Sequence, residues 1–204
     1  MNGRAASIYC DDNFVTFPGR VYGSQAPVFA GYLYISLDCD PDLPAIDRAI
    51  SKALIETGAY HGDIQRPDLH PDGDTVHRLA QHLCHWDATV RRASGVPPFD
   101  LGQLGPRTDL ETRSSRFVVR LPYFDPRASR TSFLGIIEAL DLLLGHDPGD
   151  QTPTAFKESI ARTWRTMSSN FVPGSRVLPK YLVAAGKRDI PVRPVTRTTF
   201  QFGH

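Results

Sequence analysis

Cysteine is scarce: Cys10, Cys39 and Cys84 are the three in 204 residues, widely spaced and without a CxxC pair. An odd, scattered set excludes a secreted disulfide framework and fits a reducing compartment. No stretch reaches the roughly 20 consecutive apolar residues of a membrane-spanning helix. The N-terminus lacks the basic-then-apolar layout of a secretory leader, so a cytoplasmic protein without a membrane partner is expected. The chain has no GxxxxGK[ST] loop, no GxGxxG after a strand and no GxSxG elbow, which removes the common self-contained nucleotide-binding and acyl-transfer signatures. Charge of one sign is not in excess either, with 23 Lys+Arg against 22 Asp+Glu.

That balance hides an asymmetry. Residues 1–150 hold 14 basic against 20 acidic side chains, a net of −6, while residues 151–204 hold 9 against 2, a net of +7. A basic rear segment docks on an acidic front one or faces an anionic partner. No run of the sequence interleaves aromatic with basic residues as single-stranded nucleic-acid binding requires, so no nucleic-acid partner is expected.

The run VFAGYLYISL at 28–37 is rich in aromatic and β-branched residues and predicts a strand. Asp42 as cap and Pro44 in the first turn then predict a helix carrying Ile46, Ala49, Ile50, Ala53 and Leu54, ending at Gly58. After a loop at 60–74, Thr75 opens the longest helix, with Val76, Leu79, Leu83, Trp86 and Val90 on one face and Gly95 as its stop. The stretch PPFDLGQLGPRTD holds too much glycine and proline for regular structure, whereas RFVVRLPYF reads as a strand. Ser132 to Leu144 predicts a helix with Phe133, Ile136, Ile137 and Leu140 on its stripe. These elements predict an α+β fold, a small sheet with helices packed on one side. The boundaries are 1–148 for this unit, 149–173 for a helical linker bearing Phe156, Ile160, Trp164 and Met167, and 174–204 for an incomplete strand-helix-strand.

Three histidines, His77, His82 and His85, fall on the long helix together with Cys84 and Asp87. His82 and His85 are three apart and share a face, so two ligands for one metal ion are available; Asp87, or Asp63 in the preceding loop, would have to be the third. VHRLAQHLCHW carries neither HExxH nor HxxEH, so the carboxylate that acts as ligand or base is missing and the histidines read as polar-face and boundary residues. Asp38, Asp40, Asp42 and Asp47 lack the central glycine and terminal glutamate of an EF-hand and read as a cap and a solvated loop. Trp86 and Trp164 fit apolar stripes and are expected in the core.

Taken in order, ISLD (35–38), the helix DLPAIDRAISKAL, the turn RRASG, FDLGQLGPR, the strand RFVVRLPYFDP and the helix FLGIIEALDLLLG resemble the N-terminal domain of cyanophycin synthetase and its relatives, ATP-grasp ligases that join amino acids to a peptide. YLVAAGKRDIPV and FQFGH are similar to the start of the ligase part, so the resemblance covers about residue 29 to the C-terminus. It implies a substrate-recognition or scaffolding domain that is not catalytic alone. Its partners would be an ATP-grasp body in cis or trans and a charged amino acid or peptide, in a homo-oligomer. ATP and magnesium would serve the full ligase and no cofactor this segment. The exposed arginines near the RRASG turn and the following strand, Arg91, Arg92, Arg107, Arg116 and Arg120, are the candidates to hold carboxylates. Departures are clear. The HxxEH helix of some relatives falls here on Gln81, Cys84 and His85, the Ser-Thr pair of the ligase start is replaced by Val177 and Leu178, and the ATP-grasp and Mur-ligase-like bodies are not in this sequence. The rivals are a metal-dependent peptidase built on His82, His85 and Asp87, and a stand-alone interaction module.

Overall fold

The computed structural model describes residues 6–11, 13–17, 27–57, 73–94, 96, 101–111, 113–123, 125–145, 153–170, 181, 184–185, 188, 190, 192–194 and 200–203. The strand expected at 28–37 is β3, Val28–Leu37, and its two-residue alternation decides the layers. Phe29, Leu33, Ile35 and Leu37 point into the core, while Tyr32 and Ser36 are exposed. β5, Ser114–Pro122, pairs antiparallel with β3 and alternates in step, burying Phe117, Val119 and Leu121. On the other side of β3 lie β1, Ala6–Cys10, and β2, Val15–Phe17, two strands in a stretch for which the sequence reading has no assignment. β4, Gln103–Glu111, pairs with β5 and completes the sheet in the order β1-β3-β5-β4, with β2 also on β3.

β4 corrects the expectation of irregular chain around FDLGQLGPR. The ladder slips between Leu104 and Arg107 and again between Asp109 and Glu111, and Gly105-Pro106 occupy the first of these irregularities. A bulge on an edge strand excuses proline from its missing ladder donor, so proline here does not exclude a strand.

The helices follow local signals closely. α1 is Leu43–Glu56, where Asp42 accepts from the Ala45 N–H at 3.0 Å, as its place before Pro44 predicts. α2 is Thr75–Ala93, capped by Asp74 accepting from the His77 N–H at 2.9 Å. α3 is Pro126–Leu144 and begins earlier than the apolar stripe does, because Asp125 accepts from the N–H groups of Arg127 and Ala128 and Pro126 suits the first turn. α4 is Thr154–Asn170.

α2 packs on β3, β4 and β5, α3 on β1 and α2, and α1 and α4 on each other and on α2. The inward strand residues share one core with Ile50, Leu54, Leu83, Trp86, Phe133 and Ile136. The protein is therefore α+β, a small antiparallel sheet with helices on one face, as expected. The segment expected as a linker contributes to the same core, since Phe156, Ile160 and Met167 of α4 are fully buried in it. Trp164 is half-buried, its Nε1 donating to the Ala93 carbonyl at 3.1 Å. Further on, β6, Val192–Pro194, pairs antiparallel with β7, Phe200–Phe202. Among the described residues no helix is long and apolar enough to cross a membrane.

Candidate functional site

The second half of α2 is buried around nearly its whole circumference, and this decides the fate of the candidate groups it carries. Arg91, expected as an exposed fork, is 1% exposed. Its Nη1 donates to the Pro122 carbonyl at 2.6 Å and to Ser129 Oγ at 3.4 Å, and its Nη2 pairs with Asp87 one turn earlier. Arg91 thus ties α2 to the end of β5 and to α3, a correction to the reading of it as a surface contact. A spacing of four along a helix puts Asp87 and Arg91 side by side, and the layer of α3 over them removes the water that a surface pair would keep. Burial pushes the Asp87 carboxyl above the usual range, opposed by the Arg91 guanidinium.

His82 and His85 face elsewhere. His82 Nδ1 lies 3.5 Å from Asp47 Oδ1 on α1, and the same oxygen accepts from Trp86 Nε1 at 2.5 Å. His85 is 5% exposed, so both histidines are interior and not the polar-face residues expected. Burial, reinforced by the nearby positive charge of Arg92, lowers the His85 imidazole to about 4; Asp47 works in the opposite sense. Burial alone would raise Asp47, but the bonds from His82 and Trp86 hold its carboxyl below the usual value.

Asp47 is the residue that sequence reasoning missed. Its spacing from Asp38, Asp40 and Asp42 groups it with a solvated acidic loop, yet its place between Ile46 and Ile50 puts it on the apolar stripe of α1, and that position is the available signal. His82, His85 and Asp87 are not brought together, for Asp87 bonds towards α3 and His82 towards α1. Among the described residues no three His, Cys, Asp or Glu side chains are grouped to hold a metal ion. Cys84 packs against Gly102, where a Cβ would come within 3.0 Å of its Sγ, and burial pushes its thiol up to about 12; it is a packed thiol and not a nucleophile. Asp63 lies outside the described residues.

The remaining arginines divide. Arg92 is half-buried in the last turn of α2. Arg107 is held by ion pairs to Asp74 at 2.8 Å and Asp109 at 2.5 Å, with its guanidinium 5.7 Å from the Phe117 ring, so it closes the rim of the core. Arg116 and Arg120 stand on the opposite face of the sheet, the one away from the helices.

That open face has a definite pattern. The register places Tyr9, Tyr34, Arg116 and Thr108 in one row across β1, β3, β5 and β4. Tyr32 is opposite Val118 in the next row, and Arg120 lies between Ala30 and Gln103 in the third. The Tyr9 and Tyr34 rings stack at 4.6 Å with 4° between their planes, and the Arg116 guanidinium sits 4.8 Å from the centre of the Tyr32 ring. Tyr9 and Tyr32 are 54% and 42% exposed. Two acidic residues adjoin these rows: Asp11, whose N–H donates to the Tyr32 carbonyl at 2.9 Å, and Glu111, opposite Ser114 at the turn end. The exposed tyrosines of this face can stack flat groups, with the Arg116 guanidinium held beside one of them.

No family model and no curated protein matches this chain.

Proposed function

We propose that this chain is a recognition domain, without catalysis of its own, of a cyanophycin-synthetase-like ATP-dependent ligase, and that it presents a charged amino acid or peptide to an ATP-grasp body in cis or in trans. The observation that carries this reading is the division of the polar groups. On α2, Arg91 pairs with Asp87, His82 and Trp86 lie against Asp47, and His85 is buried, whereas Tyr9 on β1 and Tyr32 on β3 are exposed, with the Arg116 guanidinium of β5 against the Tyr32 ring. A buried nucleophile or base has no access to a substrate, whereas exposed aromatic rings with a guanidinium beside one of them do. The resemblance in element order supplies the ligase context, in which ATP and magnesium belong to the partner body.

Calorimetric titration tests this directly. Magnesium-ATP is expected to produce only loose, salt-sensitive association, and acidic peptides a saturable isotherm. Saturable, salt-resistant micromolar binding of magnesium-ATP, or turnover of a peptide by the chain alone, would overturn the recognition reading.

A further inference from the structure

We propose that the tyrosine face of the sheet is a self-association surface, on which a second copy of this chain packs about a two-fold axis running along β3. The inference goes beyond the recognition reading. Tyr9, Val15 and Tyr32 are exposed and stand on this face together, Val15 through its pairing with Ala30. None of the five strands of the described sheet carries a lysine, and Ala30, Ser36 and Ser114 are small residues between the larger ones. A flat patch with exposed tyrosines, an arginine and no lysine has the composition of the centre of a protein interface.

Charge decides the occupant. Asp11 continues β1 and its N–H donates to the Tyr32 carbonyl, so it stands level with Tyr32 on the β1 side. Its Oδ1 accepts from the Asn13 N–H at 3.0 Å, which steadies a carboxylate that has further lone pairs to offer. On the β5 side the Arg116 guanidinium lies against the Tyr32 ring, and among the described residues it makes no hydrogen bond or ion pair. Opposite charges thus flank one ring at the same level. A two-fold axis in the interface, along β3 through Tyr32, sets β3 on β3 and β1 over β5 of the second copy. Each Asp11 then meets the other copy's Arg116, twice in one interface, which is the self-complementarity that an isologous contact requires. A purely acidic or purely basic partner would leave one of the two charges facing its like. Glu111, at the turn end, and Arg120, engaged within the chain, take no part. Ten residues of β3 at roughly 3.3 Å and four strands at roughly 4.8 Å give a footprint of about 500 Å² per copy, the small end of specific interfaces, so the dimer is a reversible one. A chain so paired holds its tyrosines away from a peptide, and the two occupants of the face exclude each other.

The test is sedimentation equilibrium of the full chain at low salt, from about 1 μM to 1 mM. A reversible monomer-dimer equilibrium that weakens as salt rises is expected. Asp11→Arg and Arg116→Asp should each weaken it at least tenfold, because either reversal sets like charges against each other at two places. Mixing the two variants should restore association, since both contacts of the mixed pair again join opposite charges, and no role within a single chain is rescued in that way. Tyr32→Gln, without a change of charge, should also weaken the dimer, and Arg162→Asp, an equal reversal on α4, should leave it unaltered. A monomer throughout the range, or a dimer indifferent to both reversals, would overturn the proposal. So would variants that stay apart when mixed while their circular dichroism matches that of the natural chain. Saturable peptide binding by a chain that is monomeric throughout would remove this inference and leave the recognition reading; a charge-dependent dimer that binds no peptide at any concentration would do the reverse.

Discussion

At the scale of single residues, the interior of α2 couples stability to charge. Arg91 and Asp87 are a fully buried ion pair, and removing one partner strands the other without water. Arg91→Ala is expected to cost about 3–5 kcal/mol in chemical denaturation. Arg91→Met combined with Asp87→Leu should recover most of it, because two apolar groups of similar size need no solvation. A loss below about 1 kcal/mol in the single variant would show that water reaches Asp87. His85 makes a second, separable prediction. Its folded-state value near 4 lies below the ordinary 6.5, so the fold prefers the neutral ring. The contribution is therefore complete above about pH 6.5 and is lost as pH falls towards 4, by up to about 3 kcal/mol. Asp47 is held below its ordinary 3.8, so its contribution is lost only at still lower pH. Denaturation curves at pH 7, 5.5 and 4.5 should show the decline in the natural protein and a flatter profile for His85→Leu; an unchanged slope would assign the loss to another group.

At the scale of elements, caps and close approaches govern the helical layer. Asp125 starts α3 well before its apolar stripe begins, and Asp125→Ala should cost about 1 kcal/mol by leaving the Arg127 and Ala128 N–H groups without their acceptor. Where α3 meets α4, Gly135 leaves room for Thr163, whose side chain would collide with any Cβ at that position. Gly135→Ala is expected to destabilise by about 1–3 kcal/mol despite the better helix propensity of alanine. Thr163→Ala in the same chain should relieve much of the penalty, so a thermal-unfolding double-mutant cycle should show coupling between the two sites. Additive effects would mean that the helices are free to move apart. The edge strand β4 obeys the same logic, for its bulges accommodate Gly105 and Pro106 while keeping Arg107 pointed at Asp74.

At the scale of the whole molecule, the helices among the described residues pack on one face of the sheet, and Tyr9, Tyr32 and Arg116 lie on the other. Arg116→Gln should change unfolding free energy by no more than about 0.5 kcal/mol in chemical denaturation, since its guanidinium lies against the exposed Tyr32 ring and not in the core. A large loss of stability would instead make the open face a structural surface.

Much of this architecture was legible in the chain. The alternation of VFAGYLYISL matches β3 to the residue, the Asp42-Pro44 and Thr75 signals mark α1 and α2, and the stripe of Phe133, Ile136 and Leu140 marks α3, because periodicity and capping are local properties. Local signals failed where the decisive partner is distant in sequence. Gly105-Pro106 argues against a strand until β5 supplies a ladder that tolerates a bulge. Arg91 and His85 look like surface groups until α3 and α1 cover the helix. The mixture of tyrosines and arginines is invisible along the chain, since Tyr9, Tyr34 and Arg116 become neighbours only through strand register. The sequence by itself determined the elements and the α+β class, whose signals lie within a few residues of one another. Only the tertiary structure decided which charges are buried and which face outwards, because burial depends on what packs across tens of residues of intervening chain.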